Sequence, residues 1–295
     1  MNPCEAYLAA KKTVIEARLQ QLLPVTEPAF APLYKAMNYS LLAGGKRIRP
    51  ILFLAALEAL GKESSVYMDV ACALECVHSY SLIHDDLPAM DNDDLRRGKP
   101  TNHRVFGEGM AILAGDGLLT FAFELLARQR VADAEKIGAC IRVLAHAAGP
   151  AGMVGGQAYD LLSERHGDIG TEGLKLMHRG KTGVIFEAVM SMAGILAAAP
   201  AAVRQVLQAY AEQLGLTFQI TDDILDACGT EAELGKPVGS DVKNNKATYV
   251  TLFSLDKAKQ LAQESAQQAV AAVAPLGASA RFLRDLPEYL LVRVK

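Results

Sequence analysis

The sequence has few of the side chains that build disulfide frameworks or soft-metal sites. Its 295 residues include five cysteines, an odd number scattered along the chain, and six histidines. Small disulfide scaffolds use even numbers of closely spaced cysteines, so we interpret these as reduced thiols in a cytoplasmic protein. Cys72 and Cys76 lie four positions apart in an apolar segment with only His78 nearby. Buried thiols are therefore favoured over a metal site there.

The sequence also lacks an extended basic run, and its formal net charge is -3 at pH 7. A nucleic-acid binder neutralises phosphates with clustered cations, so we expect no nucleic-acid partner. The N-terminus, MNPCEAYLAAKK, has no basic region followed by a continuous apolar run, and we expect no signal peptide. The most apolar window, residues 183–203, is interrupted by Glu187 and ended by Pro200. These features predict a buried helix and no transmembrane segment.

Helical periodicity dominates the rest of the chain. Apolar side chains recur every three or four positions in AYLAAKKTVIEARLQQLL and in most later segments, whereas few runs alternate with period two. The breaks, such as GGKRIRP, do not resemble flexible interdomain linkers. We therefore predict an all-α fold, a single large helical bundle over residues 1–295 with ten or more helices, some of them wholly buried.

Two apolar segments each lead into a cluster of carboxylates. After ALECVHSYSLI, five aspartates fall within ten residues: Asp85, Asp86, Asp91, Asp93 and Asp94. The segment FQITDDILD holds a second cluster, made of Asp222, Asp223 and Asp226. Either cluster alone is compatible with a solvated helix end, but the pair favours a functional site that contains a cation. Oxygen-only ligands without a twelve-residue calcium loop favour Mg²⁺ together with a diphosphate.

Cations lie in glycine-rich breaks elsewhere in the chain. GGKRIRP, residues 44–50, holds three of them, and its glycines allow a ligand to approach the backbone closely. RGKTG contains Lys181 and Thr182, while Arg96 and Arg97 follow the first acidic cluster. The long break GTEAELGKPVGSDVKNNKAT predicts a lid over an anionic ligand, and it carries Lys236, Lys243 and Lys246.

No obvious nucleophile accompanies these acids and cations, and the Walker A pattern is absent. His84 beside Asp85 invites a metal-phosphohydrolase interpretation. That chemistry would need further histidine ligands at suitable spacing, which the remaining histidines do not provide. A site that binds a diphosphate through metal ions and cations is therefore favoured.

Taken together, the motifs resemble those of the short-chain trans-isoprenyl diphosphate synthases. The likeness extends over about residues 38–250, in the family's order, and rests on GGKRIRP, DDLPAMDNDD, GGQAYDL, GKTG, FQITDDILD and DVKNNKATY. It is nearest to the bacterial-type farnesyl diphosphate synthases, with the geranylgeranyl diphosphate synthases as the alternative. The resemblance implies the isoprenoid synthase fold, an all-α bundle around a deep central cavity, and a homodimer.

The resemblance also implies roles for individual residues. About three Mg²⁺ ions per site are expected, and their implied ligands are Asp85, Asp86, Asp91, Asp222 and Asp226, with Asp223 nearby. Contacts with the allylic substrate are implied for Arg96, Lys181, Thr182, Gln219 and Lys236. Isopentenyl diphosphate is expected at Lys46, Arg49, His78 and Arg97. Lys246 is expected to be a further diphosphate contact.

The reaction implied is a Mg²⁺-dependent condensation of isopentenyl diphosphate with dimethylallyl and geranyl diphosphate. The growing hydrocarbon is expected to extend along the helix before Asp85. Tyr80 and Ser81 would form the floor of the cavity there and limit the length of the product. An aromatic side chain there favours a product of fifteen carbons. Two other classes are disfavoured: a silent synthase subunit would be expected to lose an aspartate motif, and a class I terpene cyclase would not need GGKRIRP.

Overall fold

The computed structural model describes residues 2–166, 169–228 and 247–292, with the side chains of residues 164–166 excepted. Helices dominate the described residues, which confirms the predicted all-α class. In chain order they are α1 (Pro3–Leu22), α2 (Ala31–Leu41), α3 (Ile48–Ala59), α4 (Met68–Asp85), α5 (Asn102–Phe106), α6 (Glu108–Ala127), α7 (Ala134–Ala148), α8 (Met153–His166), α9 (Gly170–His178), α10 (Val184–Leu196), α11 (Ala201–Cys228), α12 (Tyr249–Phe253), α13 (Leu255–Val273) and α14 (Arg281–Val292).

Shorter elements connect these helices. Three 3₁₀ turns cover Pro28–Phe30, Ser64–Tyr67 and Ala274–Ala280, and a π-helical turn covers Arg179–Gly183. A small hairpin pairs β1 (Leu95–Arg96) with β2 (Lys99–Pro100) in antiparallel register. The hairpin is too short for the period-two alternation by which strands are recognised in a sequence.

The described residues form two compact units. Unit 1 comprises residues up to Leu54 together with Glu63–Ile137, and unit 2 comprises Ala55–Lys62 together with residues from Gly138 onward. The single domain over residues 1–295 therefore stays a prediction.

Helix α4 is the central buried helix of unit 1. Eleven of its eighteen residues are buried, from Val70 to Ile83. It packs against α6 at Gly115, where an added Cβ would lie 2.1 Å from Nε2 of His84. Cys72 and Cys76 are fully buried free thiols on this helix. Burial raises the pKa of Cys72 to about 12. The predicted buried thiols are confirmed.

Unit 2 has its own apolar core. Leu174, Met177, Ile220, Ile224, Tyr249, Ala258 and Ala262 form one buried cluster, contributed by α9, α11, α12 and α13. The apolar window at 183–203 becomes α10, and nine of its thirteen residues are buried. This confirms the predicted buried helix. Two other segments, Glu108–Ala127 and Ala134–Ser163, are long and apolar enough to span a membrane. That is weak evidence, because core helices meet the same criteria.

Candidate active site

The first aspartate cluster begins where α4 ends. Asp85 is the last residue of the helix and Asp86 is its C-cap. Pro88 cannot continue the helix, and the following turn brings the chain back, so the backbone amide of Asp91 donates to the carbonyl of Asp85 at 2.9 Å. Asp85 and Asp91 are both partly exposed. The six-residue spacing therefore returns the second aspartate to the end of the helix through a loop.

Asp86 has a different environment from its neighbours. It is 3% exposed, and its Oδ1 accepts a hydrogen bond from Nε of Arg96 at 3.0 Å and another from Nη2 of the same guanidinium. Burial raises the pKa of Asp86 to about 6, while Arg96 opposes the shift. Arg96 also contacts Asp93 at 3.2 Å. In this arrangement Asp86 anchors Arg96, and its role as a Mg²⁺ ligand stays a prediction.

The hairpin after this loop presents Arg97 to the GGKRIRP segment. Its two turn residues, Arg97 and Gly98, have φ values of 54° and 73°, as a type I′ turn requires. The Arg97 guanidinium donates to the carbonyl of Gly44. A Cβ added at Gly45 would lie 2.4 Å from Cζ of Arg97, and φ there is 114°. The glycines of this motif therefore make room for an arginine of the protein itself.

His78 lies within electrostatic range of four arginines of unit 1. Burial lowers the pKa of this histidine well below its usual value, and nearby positive charges lower it further, in the order Arg49, Arg97, Arg47 and Arg96. A neutral imidazole keeps one N–H donor for a ligand. The structure thus brings together Arg49, His78 and Arg97, three of the four residues predicted for isopentenyl diphosphate. The fourth, Lys46, is exposed in the same segment.

Arg47 has a structural partner that the sequence did not reveal. Its side chain is fully buried, and Nη1 lies 2.6 Å from Oε1 of Glu75, which is 1% exposed. Nη2 donates to the carbonyl of Leu41 at 2.9 Å, and Nε lies 3.5 Å from Glu16. This buried ion pair connects the GGKRIRP segment to α4. The signal for it was a single acid inside the otherwise apolar ALECV stretch.

In unit 2, the π-helical turn carries Lys181 and Thr182. Lys181 Nζ lies 2.7 Å from Oδ2 of Asp160, a buried residue of α8 in the GGQAYDL motif. The turn lies against the same helix, because a Cβ at Gly156 would be 2.2 Å from the Lys181 amide nitrogen. Thr182 is 8% exposed. Isolated π turns frequently occur at functional sites. Asp160 is a further site residue that sequence reasoning missed, although its motif was noted.

The second aspartate cluster lies on α11, which is continuous through it. Asp222 and Asp226 are one turn apart on this helix, as predicted; Asp222 is partly exposed and Asp226 is buried. Asp223 points elsewhere: its Oδ2 accepts a 2.8 Å hydrogen bond from the backbone amide of Tyr249, at the start of α12. Asp223 therefore positions the segment that begins α12.

Gln219, one turn before Asp222 on α11, lines a pocket of about 270 Å³ in unit 2. The pocket is also lined by His178 and Tyr249, whose rings lie 5.5 Å apart. Burial lowers the pKa of His178 to about 4, so the ring is neutral at pH 7. Gln219 is thus beside a cavity, as a substrate contact requires.

The aspartates fit Mg²⁺ by their chemistry. Within the described ranges, no group of three or more His, Cys, Asp or Glu side chains is arranged as a metal site. Mg²⁺ does not need such a cage, since it usually takes one or two carboxylates and completes its shell with water and substrate phosphates. The pairs Asp85–Asp91 and Asp222–Asp226 suit that mode. Two predicted diphosphate contacts, Lys236 and Lys246, and Lys243 of the predicted lid lie outside the described residues.

The predicted chain-length residues lie on the last turns of α4. Tyr80 is 5% exposed and its ring meets that of His84 edge-on at 5.8 Å. Burial raises the pKa of Tyr80 to about 12, so the hydroxyl stays protonated. Ser81 Oγ donates to the carbonyl of His78 at 3.0 Å. Tyr80 is thus a rigid aromatic group held inside unit 1.

Comparisons with known proteins identify the family of these motifs. Residues 31–276 match the family described as polyprenyl synthetase. The chain is 52% identical over 261 residues to a protein from Geobacillus stearothermophilus named farnesyl diphosphate synthase, covering 87% of this chain and 86% of that protein. It is 45% identical over 264 residues to a geranylgeranyl diphosphate synthase from Cyanophora paradoxa, covering 89% and 87%.

A solved structure shows the same architecture. It is a geranyltransferase from Helicobacter pylori complexed with magnesium and isoprenyl diphosphate, with a TM-score of 0.85 and 32% identity. The likeness covers 99% of this chain and 97% of that one. The predicted resemblance, the isoprenoid synthase fold and the prediction of an enzyme are confirmed by these similarities. The chain therefore belongs to the polyprenyl synthetase family of prenyltransferases.

Proposed function

We propose that this prenyltransferase is a Mg²⁺-dependent farnesyl diphosphate synthase. It condenses isopentenyl diphosphate with dimethylallyl diphosphate and then with geranyl diphosphate, releasing diphosphate at each step. The observation that carries the proposal is the cation cluster around neutral His78, in a chain that also holds two aspartate motifs. The aspartates suit a metal-bound allylic diphosphate, and the arginines suit a second diphosphate that needs no metal.

Asp85, Asp91, Asp222 and Asp226 would hold the Mg²⁺ ions. Bound Mg²⁺ supplies positive charge that stabilises the diphosphate as it leaves. Lys181 and Arg96 add positive charge for the same group. The carbon–oxygen bond of the allylic substrate breaks, and its electron pair leaves with the diphosphate.

The second substrate then reacts with the allylic cation. Arg49, Arg97 and the N–H of His78 bind isopentenyl diphosphate, whose double bond forms the new carbon–carbon bond with the cation. The departing diphosphate takes the proton that is lost. Thr182 and Gln219 direct dipoles at the cation, and apolar surroundings exclude the water that would otherwise quench it.

Tyr80 supports a product of fifteen carbons. Its ring is buried on α4 and lies edge-on against His84. The residue precedes Asp85 on the helix along which we expect the growing chain to extend. A geranylgeranyl diphosphate synthase is the second candidate, because a relative with that name is 45% identical to this chain over 264 residues. Replacing Tyr80 with alanine removes the floor. We expect Tyr80→Ala to shift the main product from fifteen to twenty carbons.

The test is a product assay with purified protein, Mg²⁺, isopentenyl diphosphate and either dimethylallyl or geranyl diphosphate. Prenyl alcohols are identified after phosphatase treatment. A fifteen-carbon product that disappears with chelator and returns with Mg²⁺ is the expected result. A twenty-carbon product from the unchanged chain would favour the second candidate. No condensation from either starter, with the chain folded, would overturn the proposal in favour of a silent subunit or a cyclase.

We also propose that the chain acts as a cytoplasmic homodimer. Ile112 and Leu113 on α6 are 44% and 54% exposed, and Val105 on α5 is 46% exposed. Exposed apolar side chains on adjacent helices suit a subunit interface. Light scattering during size exclusion is expected to give twice the chain mass of 31.6 kDa. A nucleic-acid partner and a transmembrane segment remain predicted absences.

A further inference from the structure

The carboxamide of Gln157 is buried without any hydrogen-bond partner among the described residues. Both of its polar atoms, Nε2 and Oε1, are inaccessible to solvent. Buried polar groups in folded proteins are nearly always hydrogen-bonded, and an unmade bond destabilises the fold. Because the amide nitrogen and oxygen can exchange places by a flip, both orientations of the group lack a partner. The stability of the fold therefore does not explain why this carboxamide is buried.

Two other glutamines have structural roles, because their side-chain amides form hydrogen bonds within the protein. Gln129 is also buried, and its Nε2 donates to the carbonyl of Leu125 at 2.7 Å. In unit 2, Gln208 donates to Glu187 at 2.9 Å and to Glu212 at 3.0 Å. The amide groups of these two side chains donate their hydrogen bonds to other atoms of the protein. Gln157 instead has a donor and an acceptor that no group among the described residues uses.

The position of Gln157 indicates which ligand this is. It lies on α8 three residues before Asp160, so the two side chains leave the same face of the helix. Asp160 contacts Lys181 at 2.7 Å, and the neighbouring Gly156 lies against the Lys181 backbone. The carboxamide therefore shares its helix face with the ion pair that supplies a cation to the allylic diphosphate in the proposed function.

We propose that Gln157 is a further substrate-contacting residue, which donates an amide hydrogen to the allylic diphosphate bound beside Lys181. This inference rests on the proposed function. A neutral amide suits the position, because it binds an anion without requiring a counter-ion when the site is empty. Burying the amide without a hydrogen bond costs free energy, and a hydrogen bond to the bound substrate offsets that cost.

The test replaces the amide with an apolar side chain of similar length. Gln157→Met removes two unpaired polar atoms, so we expect the Tm to rise by a few degrees. The same change removes a donor to the diphosphate, so kcat/KM for geranyl diphosphate is expected to fall at least about 10-fold. KM for isopentenyl diphosphate is expected to change less than about twofold. The matched control, Gln208→Met, loses satisfied bonds and is expected to keep wild-type kinetics without a gain in Tm.

A second variant tests whether Gln157 donates a hydrogen bond to the diphosphate. Gln157→Glu preserves the shape but places a carboxylate beside the diphosphate, so we expect a larger loss for geranyl diphosphate than with methionine. A protein with Gln157→Met that keeps wild-type kinetics would overturn the inference. A loss of Tm with equal losses toward both substrates would also overturn it, because that is a structural role. If the unchanged chain condenses neither starter, the proposed function itself fails, and the inference fails with it.

Discussion

The two aspartate motifs both begin with an Asp–Asp pair but are built differently. In the first, the chain leaves α4 at Asp85 and returns through a loop to Asp91. In the second, Asp222 and Asp226 lie on one uninterrupted helix, α11. In both, the second aspartate of the Asp–Asp pair is used by the protein: Asp86 pairs with Arg96, and Asp223 accepts the amide of Tyr249.

The two units hold a carboxylate cluster in place without its ligand in different ways. Unit 1 anchors its motif and its basic segment with charged side chains, Asp86–Arg96 and Arg47–Glu75. Unit 2 holds its motif through helix geometry and a backbone hydrogen bond, and it holds Lys181 through Asp160. Buried ion pairs are strongly sensitive to loss of one partner, whereas a bond to a backbone amide has a modest value. The two units are therefore expected to respond differently to mutation.

The largest effect is expected from breaking the buried pair of unit 1. Arg47→Met leaves the Glu75 carboxylate buried without its cation, and we expect it to lower the free energy of unfolding by about 3–5 kcal/mol. Replacing both partners, Arg47→Met with Glu75→Leu, is expected to restore most of that loss. Urea unfolding followed by circular dichroism measures both. If the double variant were as unstable as the single one, the pair would not be the cause.

Next in size is the loss of a proposed metal ligand in either motif. Asp85→Asn and Asp222→Asn are each expected to lower kcat about 10²–10³-fold while leaving the Tm close to that of the unchanged chain. Raising the Mg²⁺ concentration should recover part of the activity, since the amide is a weaker ligand. Steady-state kinetics across a Mg²⁺ series is the measurement. A wild-type rate in either variant would contradict the role assigned to that motif.

A pH effect is expected from His178 in unit 2. Its pKa is lowered to about 4 by burial, so the unfolded chain binds a proton at higher pH than the folded one. The stability of the fold should therefore fall as the pH decreases from about 6.5 to about 4, by up to about 3 kcal/mol from this residue. The variant His178→Phe is expected to show a flatter profile over that range. Equal slopes for the two proteins would disprove the assignment.

The smallest effect is expected at the backbone anchor of unit 2. Asp223→Ala removes the acceptor for the Tyr249 amide and should lower the free energy of unfolding by about 1–2 kcal/mol. Asp223→Asn keeps an acceptor oxygen, so its loss should be smaller. Thermal unfolding compares the two. If Asp223→Ala lowered the free energy of unfolding more than Arg47→Met, the expected difference between the two units would be wrong.

Much of the fold was predictable because its causes are local. The three-to-four periodicity identified the helices, and the apolar surroundings of Cys72 and Cys76 identified buried thiols. Pro88 indicated that Asp91 would not continue α4, and the spacing of Asp222 and Asp226 placed them on one helix. The π-helical turn at Arg179–Gly183 was not predictable, because its extra residue per turn leaves no clear period in five residues.

The helical class, the two carboxylate clusters and the basic segments follow from the sequence, since they depend on residue type and short spacing. Which of those groups pair with other parts of the protein depends on tertiary contacts. Arg47 meets Glu75 across 28 positions, and Asp223 meets the Tyr249 amide across 26. Gln157 has no hydrogen-bond partner among the described residues for the same reason. A hydrogen bond depends on atoms within about 3 Å of each other, and folding alone determines which distant residues come that close.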